Sequence, residues 1–291
     1  MKFKWTYSRA ASLKGAAVVA AVLLSAPALG ADGPTGSTAA PPGATDPVSE
    51  LTESQREARA LLKGMADHLA GLQSFTVNFR DGYDVVQATG QKIEFGETRR
   101  ITLARPNQLR VEEIASDGRL DLALFDGKDI TVFNADTNLF ARAPQPGSVD
   151  DALVYFVRDL RMRMPLARLL TTRLPTEWPK RVKTVDYVES VDIAGVRTHH
   201  VAGRTDAVDF QYWIKDGPSP LPLRVVLTYS GEPGQPQFWA NFSDWNTSPR
   251  LPETTFQFTP PAGARQIAFA TQVSESAGAR QPAAPREEVK P

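Results

Sequence analysis

The spacing of apolar residues changes more than once along this chain. From Ala58 to Leu72 it is helical: Ala58, Leu61, Leu62, Met65, Leu69 and Leu72 recur at three- and four-residue intervals, one apolar stripe on one face. Thr52 and Gln55 stand before it as a T-x-x-Q capping box, whose hydroxyl and amide satisfy free N–H groups at a helix start, and Gly71 closes it. The stripe predicts a single amphipathic helix.

Beyond it the period becomes two. "FTVNFR" sets Phe75, Val77 and Phe79 against Thr76, Asn78 and Arg80, and "QLRVEE" sets Leu109 and Val111 against Arg110 and Glu112. Turn residues fall at Asn107, Asp117-Gly118, Asp126-Gly127 and Asn134 to Asn138, about every ten residues. Asp126-Gly127 lies between two runs rich in β-branched and aromatic residues, a strong hairpin signal because Gly tolerates positive φ. This is the pattern of an antiparallel meander, sandwich or barrel, and not of βαβ units.

The alternation breaks in the middle. Ser148 can cap a helix with Asp150 and Asp151 in its first turn, where the helix dipole favours negative charge, followed by a stripe of Leu153, Phe156, Val157 and Leu160. A second short helix is expected from Pro165, carrying Leu166, Leu169 and Leu170. Strands resume at about residue 183. "AVDFQYWIKD" alternates Val208, Phe210, Tyr212 and Ile214; "LPLRVVLTY" alternates Leu221, Leu223, Val225, Leu227 and Tyr229; "QFWANFSDW" carries Phe238, Ala240 and Phe242.

Both ends differ from this. Lys2, Lys4, Arg9 and Lys14 precede "AAVVAAVLLSAPALG", an arrangement expected of a signal peptide over residues 1–30, with Ala28 and Gly30 at the −3 and −1 positions. An uncleaved anchor is the alternative, disfavoured by the short, Ala-rich run and Pro27. Residues 31–47 have the composition of a disordered leader and 270–291 that of a disordered tail, which leaves one domain over 48–269.

Composition narrows the function. With 42% hydrophobic and 23% charged residues, 291 residues can bury a sizeable core. Lys and Arg total 33 against 33 Asp and Glu, so no nucleic-acid partner is expected. There is no cysteine, which removes disulfides, thiolate chemistry and a lipidated N-terminal cysteine; a mature protein free in the periplasm, and not a lipoprotein, follows.

Catalytic and metal chemistry find little footing. His199 and His200 are neighbours on a strand and point to opposite faces, and His68 lies beside the helical stripe. "NADTN" has the oxygen ligands of half a calcium loop, but Leu139 and Gln145 stand where its glycine and final acid belong, so turn chemistry explains it better. The G-x-S-x-G, P-loop, G-x-G-x-x-G and H-E-x-x-H motifs are all missing. No catalytic residue, metal ligand or cofactor is expected, and the chain does not read as an enzyme.

Three stretches in order carry a resemblance: Arg105-Pro106-Asn107, Asp126-Gly127-Lys128 followed by Phe133-Asn134, and "FQFTPPAG" from Phe256 to Gly263. Together they resemble the periplasmic lipoprotein carrier family. "GYDVVQATGQKIEFG", "DWNTSP" and "WIKDGPSPLPLRVVLTY" are most similar to predicted periplasmic proteins of domain of unknown function family 2092. The resemblance implies an α+β, mostly β fold: a curved antiparallel sheet forming an incomplete, half-open β-barrel covered by α-helices. It also implies a monomer that holds lipid or lipoprotein acyl chains.

Alternation assigns Phe79, Leu109, Val111, Phe210, Tyr212, Leu223, Val225 and Phe238 to apolar faces, the candidate ligand-binding wall. Whether they line a cavity or form an ordinary core stays open. The resemblance makes Arg105 a latch that holds and releases the covering helices; a solvated strand end is the alternative. Gln108-Leu109 replaces the bulky aromatic that the carrier family has after "RPN", a departure bearing on transfer to that family's receptor. The other functional readings are an envelope sensor or maintenance module that binds a protein partner, and an enzyme.

Overall fold

The computed structural model describes residues 50–162, 164 and 166–269. The expected signal peptide, leader and tail lie outside these residues, as does Pro165. Helix α1 (Glu53–Gly71) starts on the expected box: Gln55 N donates to Thr52 Oγ1 and Thr52 N to Gln55 Oε1, both at 3.2 Å. Its buried side, Ala58, Leu62, Met65, Ala66 and Leu69, follows the apolar stripe.

A six-strand antiparallel meander comes next: β1 (Ser74–Val86), β2 (Lys92–Ala104), β3 (Gln108–Ala115), β4 (Leu120–Phe125), β5 (Asp129–Asn134) and β6 (Leu139–Pro144). Its turns fall at the punctuating residues. At Asp126-Gly127 the Asp carboxylate accepts from the N–H groups of Lys128 (2.9 Å) and Asp129 (2.8 Å), and Gly127 takes the positive φ of 90°.

Helix α2 (Val149–Arg158) is capped by Ser148, whose hydroxyl accepts from Asp151 N at 3.3 Å. Its buried face is Val149, Ala152, Leu153 and Phe156. Val157, expected in that stripe, lies instead on the flank with Val154, and both are exposed. The expected helix from Pro165 is a 3-10 turn at Ala167–Leu170 that begins from Leu166. Helix α3 (Leu174–Arg181) follows, with Pro175 in its first turn and Pro179 inside it.

The second meander is β7 (Thr184–Ile193), β8 (Val196–Arg204), β9 (Asp209–Lys215), β10 (Pro222–Thr228) and β11 (Gln237–Asn246). Strand β11 pairs with β1, which joins both meanders into one curved, unclosed sheet of twelve strands; β12 (Arg265–Ile267) adds in parallel to β6 at one edge, and β7 forms the other. The inner face packs beneath α1, α2, the 3-10 turn and α3 as one core. On the outer face of β4–β6, Leu122, Phe133 and Phe140 lie under Phe258, 5.6 Å from Phe133 and 5.3 Å from Phe140. The "FQFTPPAG" segment is therefore a strap, and β4 is buried on both faces.

Candidate functional site

Seven of the eight candidate wall residues meet on the inner face. Phe79, Leu109, Val111, Phe210, Tyr212, Val225 and Phe238 are all buried in the main core. Cross-strand pairing brings them together: Leu227 opposes Phe210 and Phe238, and Val225 opposes Tyr212 and Ala240.

Leu223 is the exception. The register of β10 slips between Pro222, opposite Ile214, and Arg224, opposite Trp213, so Leu223 is an extra residue at a bulge. It is half-buried and outside the core, which corrects its assignment to the wall.

The helical segments cover this wall closely. Helix α3 sets Trp178 edge-on to Phe210, ring centres 5.8 Å apart, and 5.0 Å from Tyr212. Burial pushes the Tyr212 phenol up, which keeps it neutral within the apolar surface. At the other end of α1 the Ser54 hydroxyl donates to the carbonyl of Tyr187 at 3.2 Å and accepts from its N–H at 2.9 Å, fixing the helix to edge strand β7.

Arg105, at the end of β2, is where the covering elements converge. Its Nε donates to the carbonyl of Leu72, the C-cap of α1, at 3.0 Å, and Nη2 donates to the carbonyl of Leu170, the last residue of the 3-10 turn, at 2.9 Å. Its Nη1 lies 3.9 Å from Asp150 in the first turn of α2. Burial lowers the Arg105 pKa and Asp150 opposes that effect. The Asp150 carboxylate also accepts from Thr172 N (3.0 Å), Thr172 Oγ1 (2.7 Å) and Arg173 Nε (3.3 Å). One cation on the sheet therefore contacts α1, α2 and the 3-10 turn together, satisfying carbonyls that helix ends leave unpaired.

Asp150 and Trp178 are site residues that the sequence patterns did not single out. Asp150 shares its helix start with Asp151, which makes the ordinary capping bond, and nothing in the spacing separates the two. Trp178 sits in a proline-rich octapeptide that hides its helix.

The histidines have separate partners. His199 Nε2 lies 3.1 Å from Asp216 Oδ1, while His200 stacks on Trp213 with ring centres 4.1 Å apart. In "NADTN" the Asn134 side-chain amide oxygen Oδ1 accepts from Thr137 N at 2.9 Å, which is turn chemistry. Among the described residues no group of three or more His, Asp or Glu side chains is arranged to hold a metal ion.

Comparison with known proteins gives a family. The model described as "Predicted periplasmic protein (DUF2092)" matches residues 58–270. No curated protein matches the chain. Among solved structures, lipoprotein LppX from Mycobacterium tuberculosis is 15% identical with a TM-score of 0.43, covering 68% of this chain and 100% of that one. A LolA superfamily protein from Nitrosomonas europaea is 12% identical, TM-score 0.35, over 69% of this chain and 97% of its own. The complex of MucA and MucB from Pseudomonas aeruginosa gives 16%, TM-score 0.39, 70% and 61%. Similarity of this degree does not fix a ligand.

Proposed function

The chain belongs to the DUF2092 family of predicted periplasmic proteins, and from that premise we propose that it is a periplasmic binding or carrier protein holding an acyl chain on its inner face. The helices form the lid, and Arg105 is the latch that holds it closed. The wall residues are covered in the closed form, so a guest enters by lifting the helices. The observation that carries this reading is the convergence on Arg105: one sheet residue donates to the last carbonyls of two covering elements and faces an acid on a third.

The energetics suit such a role. Each methylene removed from water is worth about 0.8 kcal/mol, so a twelve-carbon chain supplies on the order of 10 kcal/mol before ordering costs. Opening the latch breaks charge-assisted hydrogen bonds worth about 1.5–3 kcal/mol each, small enough for the guest to offset. Stopped-flow mixing with a fluorescent fatty acid tests the reading. Arg105→Leu is expected to change the release rate more than the uptake rate; equal effects on both would remove the latch.

A further inference from the structure

The inward alternation of β1 continues past Phe79 to Asp81, which is fully buried. Glu97 stands opposite it on β2, and Arg99 faces Glu113 across the β2–β3 ladder; all three are buried. Arg99 contacts all three acids: Nη1 contacts Asp81, Nη2 contacts Glu97, and Nε donates to Glu113 at 2.9 Å, while Arg119 acts on Glu97 and Glu113 through its charge. Asp121, the next acid along, has its own partners in Arg119, at 3.0 Å, and Asn134.

Three buried carboxylates thus share one guanidinium. Burial first, and then the neighbouring Glu113, push Glu97 up to about 8, so near neutral pH a proton on that pair offsets one excess charge. The other remains. Asp81 Oδ1, out of contact with water, receives no hydrogen bond. A buried charge left in that condition is costly, and a cation with N–H donors removes the cost.

The surroundings fit such a group. Phe79 and Tyr83 flank Asp81 two residues away on either side along β1, and Tyr83 stacks on Phe95 at 5.9 Å. The Phe79 ring already accepts a cation, with the Arg99 guanidinium 5.8 Å from its centre. Phe79 is also a wall residue, and beyond the acid Tyr83 pairs with Phe238, so the acid is set into the apolar face beside Phe79.

We propose that this acidic pole is a headgroup subsite for an amphiphile bearing a primary ammonium, whose tail runs from Phe79 across the apolar inner face. The subsite rests on the acyl-binding reading above. Its N–H groups would supply Asp81 Oδ1 with its missing donor, a charge-assisted bond.

Three single-chain probes of equal length, each below its micellar concentration, test this on the whole protein. Dodecylammonium is expected to bind about tenfold more tightly than dodecanoate, with dodecyltrimethylammonium, a cation lacking N–H donors, between them. Asp81→Asn should erase the preference; if that variant fails to fold, Glu113→Gln should narrow it, and the wild-type series needs no variant. Equal binding of all three probes by the wild type would overturn the subsite and leave acyl binding standing. Binding of none would overturn both.

Discussion

Arg105 Nε donates to the carbonyl of Leu72 at 3.0 Å, joining the end of β2 to the C-terminus of α1 across 33 residues. The bond uses a group that every helix leaves unpaired, and it places a permanent positive charge at the negative end of the helix dipole. The same guanidinium reaches Leu170, so loss of one side chain leaves two carbonyls without their donor and Asp150 with Arg173 as its remaining cation.

Arg105→Leu is therefore expected to destabilise the protein by about 2–4 kcal/mol, since buried partners lose their donor. Urea unfolding measures the loss, and hydrogen exchange should localise it to the end of α1 and residues 167–172. Arg105→Lys, with one point charge in place of a fork, should recover only part of it.

Gly203→Ala should cost about 1–3 kcal/mol through overpacking. A Cβ at Gly203 would stand 2.6 Å from the backbone oxygen of Thr184 and meet the buried ring of Phe210. A melting curve gives the cost, and a change in Trp178 fluorescence should accompany it, because Phe210 supports that ring.

Phe210→Ala and Leu223→Ala should separate sharply. The first empties a buried aromatic position and is expected to lose about 3–5 kcal/mol, the second, at the bulge, about 1 kcal/mol or less. Comparable losses in denaturant titrations would return Leu223 to the wall.

Stability should fall as pH rises through the neutral range. With its folded pKa raised to about 8 from an ordinary 4.5, Glu97 binds a proton more tightly folded than unfolded. Its contribution is thus fully present below the unfolded value and is lost as pH rises through the folded one. Glu113 and Asp121 oppose its ionisation, while Arg119 favours it. Asp81 and Arg99 complete the set of charged neighbours. Glu97→Gln should flatten the slope of unfolding free energy between about pH 5 and 8, and an unchanged slope would assign it to another group.

The features legible in the sequence were those set by local chemistry. The Thr52–Gln55 box, the Ser148 cap and the Asp126-Gly127 turn are short-range signals, and the structure forms each with the expected partners. Period-two spacing likewise placed seven wall residues on one face. Leu223 escaped that logic because a bulge depends on register with β9, which no single strand encodes. Helix α3 was hidden by its eight-residue length and by Pro179, since proline in a helix interior usually breaks it.

The acidic pole was visible and masked at once. Asp81 and Glu113 continue the inward parity of Phe75–Val77–Phe79 and Leu109–Val111, but polar residues in an alternating strand are ordinarily taken to face water. Only the crossing of β1, β2 and β3 shows them meeting around Arg99.

Native mass spectrometry of the protein purified from the periplasmic fraction, followed by lipid extraction, tests the central claim most directly. The account predicts a defined co-purifying acyl species, lost from Arg105→Leu more readily than from the wild type. A folded protein that arrives empty and also ignores added phospholipid would contradict it, and the inner face would then be a packed core.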